Sequence, residues 1–397
     1  DTPDTYIENL SNFYGVTLCM LSTRLFYNPE LLQEITRSPL APANFLEVRA
    51  LTEKLARHNV SSAQPVSLYA GSRFNGRLIM EQMISRAGLG LNLSNDRLRE
   101  QGQQARDVAV DYLRGSWNYR APELLHGLKL MKEVAQNLRP GFQQLERDAA
   151  MQEFLRGQSL MIITGTWDAT SLTSMAPFKI AVAEFPWPAM SDGPVGRYYW
   201  GPVSEPTNTS FPLCLNRNSP HKKETIDFLH FITSVEGNTI FFEQSGWLPA
   251  TREVVVPDEA KVYLPRFDGL PMRTSYMAGL GSETAELWQR QLHHLISTQG
   301  SVERFLENFE DEFPDALKND LKTKTRALVV SLRHDIPALT ALAQMDRRQA
   351  GDLRLLASRP IRESNQTIAE ARLYEALAAL ALGPAVSGSV PIDLTLN

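Results

Sequence analysis

Four of the 6 tryptophans in this chain, Trp167, Trp187, Trp200 and Trp247, follow directly on strand-like or helix-like segments, where core packing is less expected than inside an element. A large ring beside polar groups suits a molecule with both hydrogen-bonding groups and C–H surface. Polar neighbours are at hand: Asp168 follows Trp167, Tyr198 and Tyr199 precede Trp200, and Arg73 and Asn75 lie in the run GSRFNG. Core packing competes for every ring, and it is the simpler reading for Trp187, held between Pro186 and Pro188, and for Trp288, inside a helical pattern. Adjacent tyrosines face different ways, so at most one of Tyr198 and Tyr199 lines a cleft. Asp168 either accepts hydrogen bonds from a ligand or is an exposed turn carboxylate.

Covalent chemistry finds little support. The sequence has no G-x-S-x-G elbow, no G-x-x-x-x-G-K-[ST] phosphate loop and no H-E-x-x-H pair. His293 and His294 are neighbours on a helical pattern and diverge instead of converging on a metal. Glu307, Glu310, Asp311 and Glu312 read as an acidic helix end, without the cleft a glycosidase pair requires. Neither a metal nor a cofactor is expected.

Composition narrows the classes further. The 397 residues are 43% hydrophobic, enough for two or three domains with buried cores. A net charge of −5 and no basic tract exclude an electrostatic footprint for nucleic acid. The apolar run ALAALALGPAV is too short to span a membrane. The opening DTPDTYIENL has neither the basic start nor the apolar core of an export signal. Cys19 and Cys214 lie in apolar runs that favour buried thiols, and sequence alone leaves open whether they are bridged.

The elements that must position the rings alternate between strand and helix. Tyr14 to Asn28 reads as a strand or a bent pair of strands, with a helix from Pro29 and another over Ala43 to His58. Gln64 to Ala70 is a strand, GSRFNG a polar turn and Arg77 to Arg86 a helix. Pro122 to Asn137 is a helix, and Ser159 to Ile163 a short buried strand between Gly157 and Gly165. Gly165 permits a sharp turn that presents Thr166, Trp167 and Asp168 at the strand's carboxyl end, where open α/β sheets bind ligands. Phe178 to Phe185 and Phe211 to Leu215 are further strands, and Ser219 and Pro220 cap a helix. Glu283 to Ser297, Val302 to Phe309 and Pro314 onward are helical. Beyond Thr325 helical patterns run through Ala357 and from Glu363 to Leu382, with a loose tail from Pro384.

Three of these stretches carry a resemblance. YGVTLCMLSTRLFYNPELL, FLRGQSLMIITGTWDA and SPHKKETIDFLHFITSVEGNTIFFEQSGWLPATREV, in that order over Tyr14 to Asp311, resemble the family 1 extracellular solute-binding proteins of ABC importers. The resemblance implies an α/β, periplasmic-binding-protein-like type II fold of two lobes that closes on a small solute. It expects an incomplete first lobe and a helical C-terminal extension. On that reading 1–19 are the remainder of lobe 1 and a hinge strand, 20–207 lobe 2 and 208–250 a return to lobe 1. Residues 251–324 complete lobe 2, and 325–397 form the extension.

The resemblance also implies a carbohydrate solute, a mono- or oligosaccharide, with ABC permease subunits as partners. The location it implies is periplasmic or extracellular, with any membrane tether outside this sequence. It places Trp167 on the lobe 2 wall, polar contacts at Arg73 and Asn75, and Trp247 at the cleft edge. Asp168, Tyr199, Trp200 and Trp288 complete the candidate set. An acidic sugar is a further option if Arg73 meets the solute. The competing classes are an interaction or scaffold protein built on the same fold and a carbohydrate-active enzyme.

Overall fold

The computed structural model describes residues 15–95, 105–205, 208–216, 219–272, 276–277 and 281–345. The helical patterns expected beyond 345, and the tail from Pro384, lie outside these residues.

Along the chain come β1 (Val16–Leu21), β2 (Thr23–Tyr27), α1 (Pro29–Thr36), α2 (Phe45–Ser61), β3 (Ser67–Tyr69), α3 (Arg73–Ala87) and α4 (Leu89–Ser94). Then follow α5 (Ala105–Leu113), α6 (Pro122–Gln136), α7 (Arg147–Leu155), β4 (Ser159–Gly165), α8 (Ala169–Met175), β5 (Ala181–Ala183) and β6 (Asn208–Leu213). The last are α9 (Lys222–Ile232), α10 (Val235–Ser245), α11 (Ser282–Gln291), α12 (His293–Ile296) and α13 (Val302–Met345).

These elements form two compact units. The first comprises the described residues within Asp1–Gln104, Arg120–Met277 and Leu295–Val302. It holds two sheets. One is the four-stranded order β3-β4-β2-β5, with β3 parallel to β4 and the other pairs antiparallel; the other is the antiparallel pair β1-β6. The segment expected as a strand or a bent pair of strands is the pair: it divides at Ser22, and its halves enter different sheets. Ser22 is held there by exchange with Thr166, whose N–H donates to Ser22 O at 2.9 Å while Ser22 N–H donates to Thr166 Oγ1 at 3.2 Å.

β4 is buried along its whole length, which explains an uninterrupted apolar run instead of an alternating one. Phe26, Phe154, Ile162 and Leu172 build the core on one side of the sheet. α3 and α6 approach closely because Gly127 leaves room: a Cβ there would lie 2.8 Å from Ile84 Cα. Polar caps fix where helices start, as when Asn28 accepts from Glu30 N–H and Leu31 N–H ahead of Pro29.

The second unit comprises the described residues within Ala105–Tyr119, Ala278–His294 and Glu303–Asn397. Its core is aromatic: Tyr119 packs edge-on against Trp288, Phe309 and Phe313, with ring centroids 5.7, 5.0 and 5.4 Å apart. α11 starts at Gly281, which has no capping side chain. Asp320 of α13 takes that role, accepting from Glu283 N–H at 2.9 Å, Thr284 N–H at 3.0 Å and Thr284 Oγ1 at 2.6 Å.

Several local expectations change. Pro314 was expected to begin a new helix but lies inside α13. Phe309, Phe313, Leu317 and Leu321 bury one face across it, and that burial outweighs the lost backbone bond. The Phe178 to Phe185 strand pairs only over Ala181–Ala183, between flanking segments that carry Pro177 and Pro186. α9 is capped at His221, with Ser219 Oγ accepting from the His221 N–H. Ile226, Leu229 and Ile232 of α9 share a helical face, yet α9 has no buried residue. Both cysteines are free, and Cys214 is exposed instead of buried.

Candidate functional site

The chain delivers Trp167 to the end of β4 as expected, by a different local geometry. Gly165 has ordinary extended backbone, with φ −73° and ψ 152°. What requires glycine is the tryptophan itself: a Cβ on Gly165 would fall 2.2 Å from two of the Trp167 ring carbons. The ring folds back over the strand end and remains half-buried. Phe74 lies beside it, with centroids 6.4 Å apart at 55°. The Arg147 guanidinium stands 5.7 Å from the Trp167 ring centre and 5.8 Å from that of Phe74.

Asp168 is buried. It pairs with Arg147 and accepts from Thr164 Oγ1 at 2.5 Å. It is therefore not the exposed turn carboxylate that competed with a ligand-binding role.

The GSRFNG run is not a turn throughout; it becomes the first turn of α3, because Ser72 caps it by accepting from Asn75 N–H at 3.2 Å. Asn75 is fully buried, donating through Nδ2 to Ile163 O at 2.7 Å and accepting from Ser72 Oγ at 2.5 Å. It ties the start of α3 to β4 and so sets the height of Phe74 beside Trp167. Arg73 is exposed and pairs with Glu146 at 3.1 Å.

Trp247 arrives from a separate part of the chain. Gly246 ends α10 in the left-handed region at φ 71°, and the loop after it runs against β1, where Met20 N–H donates to Leu248 O at 2.9 Å. Thr170 Oγ1 donates to Ser245 O at 3.0 Å, so the start of α8, just beyond Trp167, is bonded to the last residue of α10, two positions before Trp247. Trp247 is half-buried against Phe211 and Phe241, at 4.8 and 6.2 Å. Phe211 occupies the left-handed region at φ 52° inside β6 and is 52% exposed, a strained backbone that presents a ring.

The remaining candidates lie elsewhere. Tyr199 is buried and donates to Met83 O at 2.9 Å; burial pushes its hydroxyl pKa well above the ordinary tyrosine value. Tyr198 is the half-exposed member of the pair, edge-on to His126 at 5.4 Å. Trp200 is half-exposed and covers Gly90. Trp187 is half-buried, with the Arg86 guanidinium 4.6 Å above it. Burial lowers the Arg86 pKa to about 10. Trp288 belongs to the second unit and is enclosed in its aromatic core.

Phe74, Arg147 and Phe211 escaped the sequence reading. Phe74 lies within GSRFNG, where the polar residues drew attention. Arg147 had one legible signal, a cation in the first turn of a helix, where the dipole disfavours it. Phe211 gave none, because a positive φ for phenylalanine has no signature in sequence.

A shallow cavity of about 230 Å³ between α1 and α2, lined by Leu32, Leu40, Pro42, Leu51 and Lys54 among others, contains none of the candidate residues. Among the described residues, no group of three or more His, Cys, Asp or Glu side chains is placed to hold a metal ion, and no helix is long and apolar enough to cross a membrane. What the Trp167 platform offers is non-covalent: an aromatic face beside the Arg147–Asp168 ion pair.

The family model for the bacterial extracellular solute-binding proteins matches residues 6–263. Among solved structures, a chitin oligosaccharide binding protein is 18% identical, with a TM-score of 0.50, 77% of this chain and 72% of that chain being covered. Maltose-bound MalE3 of T. maritima is 16% identical, with a TM-score of 0.50 and coverage of 78% and 75%. At these identities the likeness is one of fold. No curated protein matches the chain. The chain belongs to the bacterial extracellular solute-binding protein family, with the α/β, type II periplasmic-binding-protein-like fold of that group.

Proposed function

We propose that the protein is a receptor that captures a mono- or oligosaccharide, outside the cytoplasmic membrane, and delivers it to the permease of an ABC importer. The observation that carries the reading is the half-buried Trp167 ring at the carboxyl end of β4, flanked by Phe74 and Arg147. Aromatic faces pack on the C–H surfaces of sugars, while adjacent charged and polar groups hold hydroxyls. The named ligands of the two structural relatives, a chitin oligosaccharide and maltose, fit that chemistry.

In this proposal Trp167, Trp247 and Arg73 contact the solute. Asp168, Asn75 and Tyr199 support the elements that carry those contacts, and Trp288 packs within the second unit. Closure uses the β1-β6 pair as its crossing strands, with Ser22 the joint between β1 and β2. The solute favours the closed state by touching both walls. No catalytic step is required.

The test is a thermal-shift and calorimetric panel of maltose, chitobiose, galactose and glucuronic acid on the full chain. A sugar present at one hundred times its Kd stabilises by roughly 2.7 kcal/mol. A flat response to every member of the panel overturns the carbohydrate assignment.

A second reading, an interaction protein built on this fold, draws on the exposed Phe228, Phe231, Val235 and Ile240 of α9 and α10. It expects no heat with any sugar, and a particle larger than one chain at micromolar concentration.

A further inference from the structure

Arg147 occupies the first position of α7, where the helix dipole disfavours a cation and the preceding Glu146 supplies no side-chain cap. Local helix energetics therefore do not account for it. Its side chain, 37% exposed, instead reaches the end of β4, where it does three things at once. It pairs with the buried Asp168 carboxylate, stands against the ring of Trp167, and stands against the ring of Phe74. Asp168 adjoins Trp167 in sequence and is anchored through Thr164, so the ion pair grips the single turn that carries the ring. The Arg147 Nε is buried and has no hydrogen-bond partner among the described residues, although arginine normally uses that donor.

Gly165 allows the Trp167 ring to fold back over the strand but does not hold it there, since a glycine contributes no side chain. Phe74 bounds one edge at 55°. A planar cation fixed by Asp168 and in contact with both rings supplies the missing constraint.

We propose that Arg147 is a positioning residue that fixes the Trp167 ring, through its ion pair with Asp168 and its contacts with Trp167 and Phe74, in the orientation that presents an aromatic face to the solute. The role rests on the reading of Trp167 as the sugar platform. Its structural part is independent of any ligand and is tested without one.

The experiment is ¹⁹F NMR of the full chain labelled with 5-fluorotryptophan, whose 6 tryptophans give separate lines, the Trp167 line being assigned by its loss in Trp167→Phe. Gly165→Ala, whose Cβ must displace the ring, serves as the positive control. In Arg147→Gln the Trp167 line is expected to shift or split while the others stay in place. Acrylamide quenching of the Trp167 component is expected to rise about twofold as the ring loses its cation. Arg147→Lys, which keeps the charge but not the plane, should recover part of the wild-type position. Asp168→Asn, which keeps an acceptor for Thr164, tests the same link should loss of Arg147 compromise folding, and it should move the Trp167 line in the same sense.

An unmoved Trp167 line in Arg147→Gln or Asp168→Asn, with Gly165→Ala moving it, overturns the proposal. Equal movement of all lines also overturns it, because Arg147 would then serve the fold as a whole. With no sugar present, either outcome leaves the carbohydrate panel to succeed or fail by itself.

Discussion

Arg24 and Glu205 meet across 181 residues of sequence, with Arg24 Nη1 lying 2.8 Å from one carboxylate oxygen and 3.1 Å from the other. The Arg24 side chain is wholly buried in β2 and also donates to the backbone oxygens of Thr23, Val262 and Leu264. One residue thus joins the central strand to two later segments.

Arg24→Met should cost about 3–5 kcal/mol of stability, because it removes the buried donor of three backbone carbonyls and the countercharge of Glu205, which keeps only the Arg266 N–H among its described donors. Glu205→Gln should cost less, about 1 kcal/mol, since the carboxylate side chain is 22% exposed and Arg24 retains its carbonyl partners. Urea midpoints of both variants check the order; a larger loss in Glu205→Gln would refute this account.

Stability should fall as pH rises through the titration of Glu153. Burial raises its carboxyl pKa above the ordinary value of 4.5, opposed by the Gly71 N–H, Arg139 and Ser67. The folded state therefore holds the proton more tightly than the unfolded chain. Its contribution is complete below the unfolded value and is lost as pH rises through the folded one. Glu153→Gln should flatten that part of the curve, measured as Tm against pH at constant ionic strength. A curve of unchanged slope would exclude Glu153 as its source.

Trp167→Ala should weaken sugar affinity by about 2 kcal/mol or more while leaving the chain folded, as truncation of a central aromatic anchor does. Calorimetry with whichever panel sugar binds, paired with a circular dichroism melt, separates the two effects. Unchanged affinity returns Trp167 to the role of a packing residue.

The two thiols should react at very different rates. Cys214 is exposed, whereas Cys19 is buried and its pKa is pushed up to about 11 by burial. Titration with a disulfide reagent at pH 8 should show one fast thiol in the native chain and two after denaturation. Two fast native thiols would contradict the burial of Cys19.

Sequence made the fold legible wherever burial wrote a period or an uninterrupted run. β4 announced itself because both its faces are covered, and α2 and α6 because each buries one stripe. The Trp167 turn was legible from the two glycines around the strand, but the reason for Gly165 was not, since it depends on where a ring two residues later comes to rest. Asn75 attracted attention as a polar side chain in a polar run, and only its bond to Ile163 O shows what that polarity serves. Arg147 and Phe211 were hidden for a different reason. Their roles come from contacts distant in sequence and from an unusual backbone angle, and neither leaves a pattern in residue order.

The cap that Asp320 places on α11 has a consequence for the order in which the chain becomes structured. Thr284 precedes its acceptor by 36 residues, so during synthesis the first turn of α11 is made well before the carboxylate that completes it. At ordinary elongation rates that interval is roughly two to seven seconds. Throughout it the amide groups of Glu283 and Thr284 lack that carboxylate, and the start of α11 relies on local bonds such as Gly281 N–H to Thr284 Oγ1. Its boundary becomes fixed only when α13 arrives, so a ribosome stalled within the interval would carry a nascent chain in which α11 still frays.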